Sequence, residues 1–291
     1  MPAPPVLFAG FIDDAAMFPP GSAEVADAVA AHQDYRSAWF GALLGPLVVS
    51  DQKLVEVGRA LHRAQLTSGS DAGAAALAVS VVNTSGAGGV LSLAGRQVPG
   101  VRVVAVESAL RDLDDLAGNA ARVLSAAAEL DEAVDVFVEI PYAPGWERAV
   151  AQIEAAGRYG KLRTGGPEAR DTPSPDQLAR QVSVLIEADL GFKATAGLHH
   201  ALPSVGADGA HPRQHGFLNL LSAVAALVEG ATEADAAELL ARLDRSLVTE
   251  ITSWGDAEAA RVRRRLRSFG CCGVLDPVQD LVALGLVKEP T

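Results

Sequence analysis

The chain has 291 residues, 49% of them hydrophobic, and a formal net charge of −12 with a pI near 4.9. That acidity excludes nucleic-acid binding through a basic surface, and the length suits one large domain or two smaller ones. No run of roughly 18 apolar residues marks a membrane span, Met1-Pro-Ala-Pro-Pro5 lacks the regions of a signal peptide, and adjacent Cys271 and Cys272 are poorly placed for a structural disulfide, so a cytoplasmic, reduced chain is expected.

In chain order, β-rich runs predict strands over Val6–Phe11, Gly41–Val49, Ala75–Val82, Val101–Val106, Val134–Ile140, Tyr159–Arg163, Gly191–Thr195 and Arg267–Cys271. Several are continuous apolar runs, as parallel strands covered on both faces require. Amphipathic stretches between them predict helices over Ala23–Ala38, Gln52–Ala64, Leu110–Glu129, Trp146–Ala156, Pro175–Ala188 and Pro277–Leu284, with a short one at Gly88–Ala94. Ser22, Asp51 and Ser174 stand where helix caps belong. Eight such units predict a single (β/α)8 barrel, the TIM barrel, over residues 1–291. No G-x-G-x-x-G follows the first strand, which argues against an open dinucleotide-binding sheet. Residues 198–266 form an insertion between the seventh and eighth strands, with helices expected over Phe217–Val228, Glu233–Ser246 and Asp256–Leu266. The five arginines between Arg261 and Arg267 are expected to pack their stems and expose their heads.

The chain has only four lysines against 20 arginines, and two of the four, Lys161 and Lys193, lie in glycine-bounded strand segments. An amine can lose its proton and attack a carbonyl, whereas guanidinium stays charged. On neighbouring strands about 4.8 Å apart, two amines would approach each other, and burial with like charge would lower their pKa. The expected outcome is a neutral amine that forms a Schiff base, with Asp13 or Glu139 shuttling protons.

The segments around these lysines carry Lys161-x-x-Thr164-Gly165 and Gly191-Phe192-Lys193 followed by Ala196-Gly197. With Ile12-Asp13 and Pro20 early in the chain, Glu139 on the fifth strand and Phe269-Gly270-Cys271-Cys272 on the eighth, the pattern resembles 2-deoxyribose-5-phosphate aldolase-like class I aldolases. The resemblance implies a lyase of carbohydrate or carbonyl metabolism that needs no cofactor. In it, Lys161 would be the Schiff-base lysine and Lys193 the neighbour that lowers its pKa. Substrate contacts are expected from Thr164, Gly165, Gly166, Gly197, Gly270 and Cys271 and, apart from the resemblance, from His200 and His215, with His199 as a further acid or base. Val101–Glu107 holds no clear counterpart of the family's fourth-strand aspartate. Arg163 offers a carboxylate or phosphate a bidentate partner, so the expected partner is a small carbonyl compound with an anionic group. A homo-oligomer is left open.

Two other readings compete. Four of six histidines fall between 199 and 215 (His199, His200, His211, His215). His199 or His200 with His215, Glu139 and Asp13 would make a mononuclear metal site for a hydrolase or lyase, although no H-x-H or H-E-x-x-H pattern accompanies them. The third reading is a non-catalytic barrel with a small-molecule pocket.

Overall fold

A computed structural model describes residues 6–68, 75–166, 168, 171–203 and 214–290. Eight parallel strands close into a barrel, each paired to the next and the eighth to the first. They are β1 Ile12–Asp14, β2 Leu44–Ser50, β3 Leu77–Asn83, β4 Val101–Ala109, β5 Asp135–Glu139, β6 Tyr159–Arg163, β7 Phe192–Thr195 and β8 Leu266–Cys271. The intervening helices are α1 Val25–Ser37, α2 Leu54–Ser68, α3 Gly86–Leu93, α4 Leu116–Ala127, α5 Trp146–Ala155 and α6 Pro175–Glu187. After β7 come α7 Phe217–Val228, α8 Glu233–Ala241, α9 Ser246–Ser253 and α10 Asp256–Arg265, and α11 Leu275–Ala283 follows β8. The (β/α)8 barrel read from the sequence is the fold observed.

The first strand lies later than its apolar run suggested. Val6 to Gly10 turn, with Gly10 at φ 56°, and pairing begins only beyond them. Leu7, Phe8 and Phe11 are buried all the same, and the Phe11 ring packs on Phe269 at 5.0 Å between centroids. The two aspartates therefore sit inside β1 rather than after it. Successive strand residues face opposite ways. Asp13 points into the barrel toward Lys193, while Asp14 points outward and meets Nδ1 of buried His32 on α1 at 2.9 Å.

Of the three expected caps, Ser174 closes a capping box with Gln177 at the start of α6. Ser22 instead sits in a turn at φ 48°, ahead of the N-cap Glu24. Asp51 accepts from Thr84 N and Oγ1, tying the end of β2 to the end of β3.

In the insertion, α7 is apolar on nearly every side, with ten of its 12 residues buried. It packs against α6, α8, α9 and α10. The helix expected over Glu233–Ser246 ends at Ala241, and a separate helix starts at Ser246. Asn219 Nδ2 donates to Leu239 O and Arg242 O, satisfying carbonyls at the end of α8 where the chain turns extended. His211 lies outside the described residues.

The strand register slips in three places. Ile12 and Asp14 pair with Leu44 and Leu47, Val79 and Ser80 with Val103 and Ala105, and Phe192 and Lys193 with Leu266 and Ser268. Each slip gives one strand an extra residue, a β-bulge. They fall at Gly45–Pro46 in β2, Val104 in β4 and Arg267 in β8, all toward the N-terminal end of the barrel.

Candidate active site

Barrel interiors are usually filled by bulky branched side chains. Here the inner wall carries charge. Arg163, last in β6 and about half exposed, places Nε 3.3 Å from Oε1 of Glu139, last in β5. The other Glu139 oxygen lies 2.9 Å from Lys161 Nζ. That amine is 2.8 Å from Oε2 of Glu107 on β4, whose Oε1 lies 2.6 Å from Lys193 Nζ. Lys193 then reaches Asp13 Oδ2 at 2.6 Å. Six groups of alternating sign thus form one file, from the C-terminal mouth of the barrel to its middle, and their formal charges sum to zero.

Neutral donors finish the file. Ser80 Oγ donates to Glu107 Oε1 at 2.6 Å, and Ser268 Oγ donates to Asp13 Oδ2 at 2.8 Å. Gly45 faces Asp13 so closely that an added Cβ would strike its carboxyl. Lys161 and Lys193 are register partners on β6 and β7, as their strands predicted, and both point inward. Lys193 is 1% exposed and Lys161 5%, which puts Lys161 nearer the mouth.

The charge state departs from the sequence expectation. Burial alone would lower both lysine pKa values, and Lys193 lowers that of Lys161 further. The carboxylates outweigh this. Glu107 and Glu139 hold Lys161 above the ordinary lysine value, and Asp13 and Glu107 hold Lys193 well above it. Glu107 resists burial and stays far below the carboxylate range because two ammoniums flank it. Glu139 is lowered by Lys161 and Arg163, also against burial. Burial pushes Asp13 upward despite Lys193. At rest both amines are therefore ammoniums, not the neutral base that a bare lysine pair predicts.

Glu107 stands out in the sequence as a polar residue at the end of the expected fourth strand, but its role between the two lysines does not. No aspartate stands in Val101–Glu107, and it is Glu107 that bridges both lysines. The signal was present in its spacing, two residues after inward-facing Ala105 on the same strand.

The remaining expected site residues separate. The Thr164 hydroxyl is buried and donates to Thr195 O at 3.2 Å and to Ala196 O, so the backbone occupies it. Gly165 and Gly197 meet back to back, with a Cβ on Gly165 falling 2.9 Å from Gly197 Cα, and Gly197 adopts φ 75°. Gly166 abuts Asp171, and Gly270 lies level with Asp13 and Thr195. His199 Nδ1 lies 3.8 Å from the sulfurs of both Cys271 and Cys272. Burial lowers its pKa and pushes the Cys271 thiol up to about 12. His200 pairs with Asp280 on α11 at 3.2 Å, and His215 Nε2 meets the carbonyl of Pro173 at 2.9 Å. The metal site expected from His199 or His200 with His215, Glu139 and Asp13 is not assembled. Both carboxylates are engaged by lysines, the histidines face other partners, and no group of three potential ligands converges among the described residues.

No protein-family model and no curated protein matches the sequence. Among solved structures, the carboxyl transferase domain of Rhizobium etli pyruvate carboxylase with pyruvate and biocytin is similar at 12% identity and a TM-score of 0.43. The match covers 88% of this chain and 48% of that one, so the chain spans about half of its length. The same domain with 3-bromopyruvate gives 11% and 0.45, covering 97% of this chain and 49% of the other. At these values the likeness carries no argument about activity. Among the described residues, no helix is long and apolar enough to cross a membrane.

Proposed function

We propose that this barrel is an aldolase-like lyase that makes or breaks a C–C bond beside a carbonyl through a Schiff base on Lys161. The observation that carries this is the Lys161 amine held between Glu107 and Glu139 at 2.8 and 2.9 Å, on the mouth side of the file. An ammonium and a carbonyl condense to a protonated imine and water with no net change in charge. The two carboxylates around Lys161 are thus already arranged for the iminium, and such preorganisation lowers the barrier to forming it. Glu139 takes the ammonium proton so that the amine can attack, then returns it to the departing hydroxyl. The iminium draws electrons from the adjacent C–C bond. Lys193 and Asp13 hold Glu107 in place, and the free edge of the Arg163 guanidinium binds an anionic group of the substrate.

Borohydride added with a carbonyl substrate should leave a reduced adduct on Lys161, located by peptide mass. No adduct across a broad aldehyde and ketone panel defeats the proposal. The raised pKa of both lysines favours a second reading, a barrel with a charged core and a non-catalytic pocket. Under that reading Lys161→Arg leaves ligand binding intact, whereas an imine-forming enzyme loses all turnover.

A further inference from the structure

The three β-bulges share a consequence. Their extra residues, Pro46, Val104 and Arg267, all line one cavity of about 300 Å³ at the N-terminal end of the barrel. Small neighbours, Ala105, Ser80 and Ser268, leave the space open, and Lys193 and Asp13 also contribute to its wall. The lower end of such a barrel is ordinarily packed solid. Three independent irregularities that widen the same spot make a built pocket rather than a packing defect.

Its charge is cationic in an acidic protein. Lys193 pairs with Asp13, and Arg267 pairs with Asp135 at 2.9 Å while stacking over Tyr159. Arg263 has no carboxylate partner among the described residues. Nε donates to Leu266 O, Nη1 to Leu7 O and Ala9 O, and Nη2 to Arg267 O. Four of the five guanidinium N–H donors are thus used on carbonyls, and the cation rests against the Phe11 ring. Burial lowers its pKa only to about 10, so it stays charged at neutral pH. These arginines were expected to expose their heads. Arg263 and Arg267 instead present them to a cavity.

The geometry points to a second ligand site at this end, which binds a small oxyanion, carboxylate or phosphate, between Arg263 and Arg267. The ligand gives Arg263, which feels the Asp13 charge but makes no direct ion pair, a partner for its remaining N–H, and desolvated guanidinium–oxyanion contacts are among the stronger polar ones. This site does not rest on the Schiff-base reading, because it faces away from the mouth and needs no chemistry.

Inorganic phosphate and acetate, titrated separately into the full chain by calorimetry, test it. At least one should bind saturably at one site in the millimolar range or tighter. Which of the two binds identifies the natural anion as phosphate-like or carboxylate-like. Ala105→Leu fills the cavity without changing charge, and Arg267→Gln removes a lining cation. Each should weaken binding by about tenfold or more, whereas Arg163→Gln at the mouth should leave it unchanged. Arg267 is partly exposed, so its variant decides the matter if Ala105→Leu does not fold. No saturable heat from either anion overturns the site. So does binding that survives Arg267→Gln, or binding that disappears in Arg163→Gln.

Discussion

Glu107 touches both lysines, so removing its charge leaves two buried ammoniums with one fewer anion between them. Glu107→Gln should cost roughly 3–5 kcal/mol, the usual penalty for breaking a buried pair, read as a lower urea midpoint. Adding Lys161→Met removes one stranded cation and should recover part of that loss. Strictly additive costs would mean that the two residues are not coupled. At Lys161 the raised pKa has a kinetic consequence. Attack needs the free amine, but Glu139 keeps its proton within the site, so kcat/KM should stay flat through neutrality, and an inflection there would contradict a lysine held as an ammonium. The lysines themselves were legible in the sequence because they are rare and lie in register on adjacent strands. Their charge state was not. A register places two Cα atoms side by side, but a carboxylate from β4, two strands away from β6, decides which proton stays.

Among the elements, the loops after β6 and β7 pack glycine on glycine. Gly165→Ala would force its Cβ against Gly197 Cα, with no flexible side chain to yield. A loss of roughly 1–3 kcal/mol is expected, seen as a lower Tm, and it should disturb the mouth next to Arg163 enough to reduce activity as well. In the insertion, Asn219→Leu should cost about 2–3 kcal/mol by orphaning carbonyls at the end of α8. Amide exchange should speed up there before it does in the barrel strands. The single helix read across Glu233–Ser246 shows why boundaries are hard to see. The stop after Ala241 is held partly from outside the local sequence, by the Asn219 amide of α7 on Leu239 O and Arg242 O, and partly within it, by Asp244, which accepts from Ser246 N at the start of α9. The same reasoning covers β1. Val6–Phe11 reads as a strand, yet Leu7, Phe8 and Phe11 bury their side chains from a turn that passes through Gly10 at φ 56°, with Val6 and Ala9 exposed.

For the molecule as a whole, the file of charges sets a pH window. Glu107 is depressed in the fold, so its contribution is present above the ordinary carboxylate value of about 4.5 and fades as pH falls below that. Lys161 and Lys193 are raised, so theirs is present below the ordinary lysine value of about 10.5 and fades above it. Asp13 works in the opposite sense and blunts the acid limb. Urea unfolding should therefore show a plateau between these values with a fall on either side, and Lys193→Met should flatten the alkaline fall. The barrel, its strand order and the mouth were readable from apolar runs and rare residues. The lower cavity was not, because bulges arise from how strands slide past one another and leave no mark in composition. Alternation along one file also constrains how this sequence can diversify. A charge can leave the barrel without stranding another only in the company of its neighbour, Arg163 with Glu139, Lys161 with Glu107, or Lys193 with Asp13. Descendants that trade Lys193 for an apolar residue should have traded Asp13 too. Acidic and basic counts at these six positions should stay matched across the lineage, whatever its members act upon.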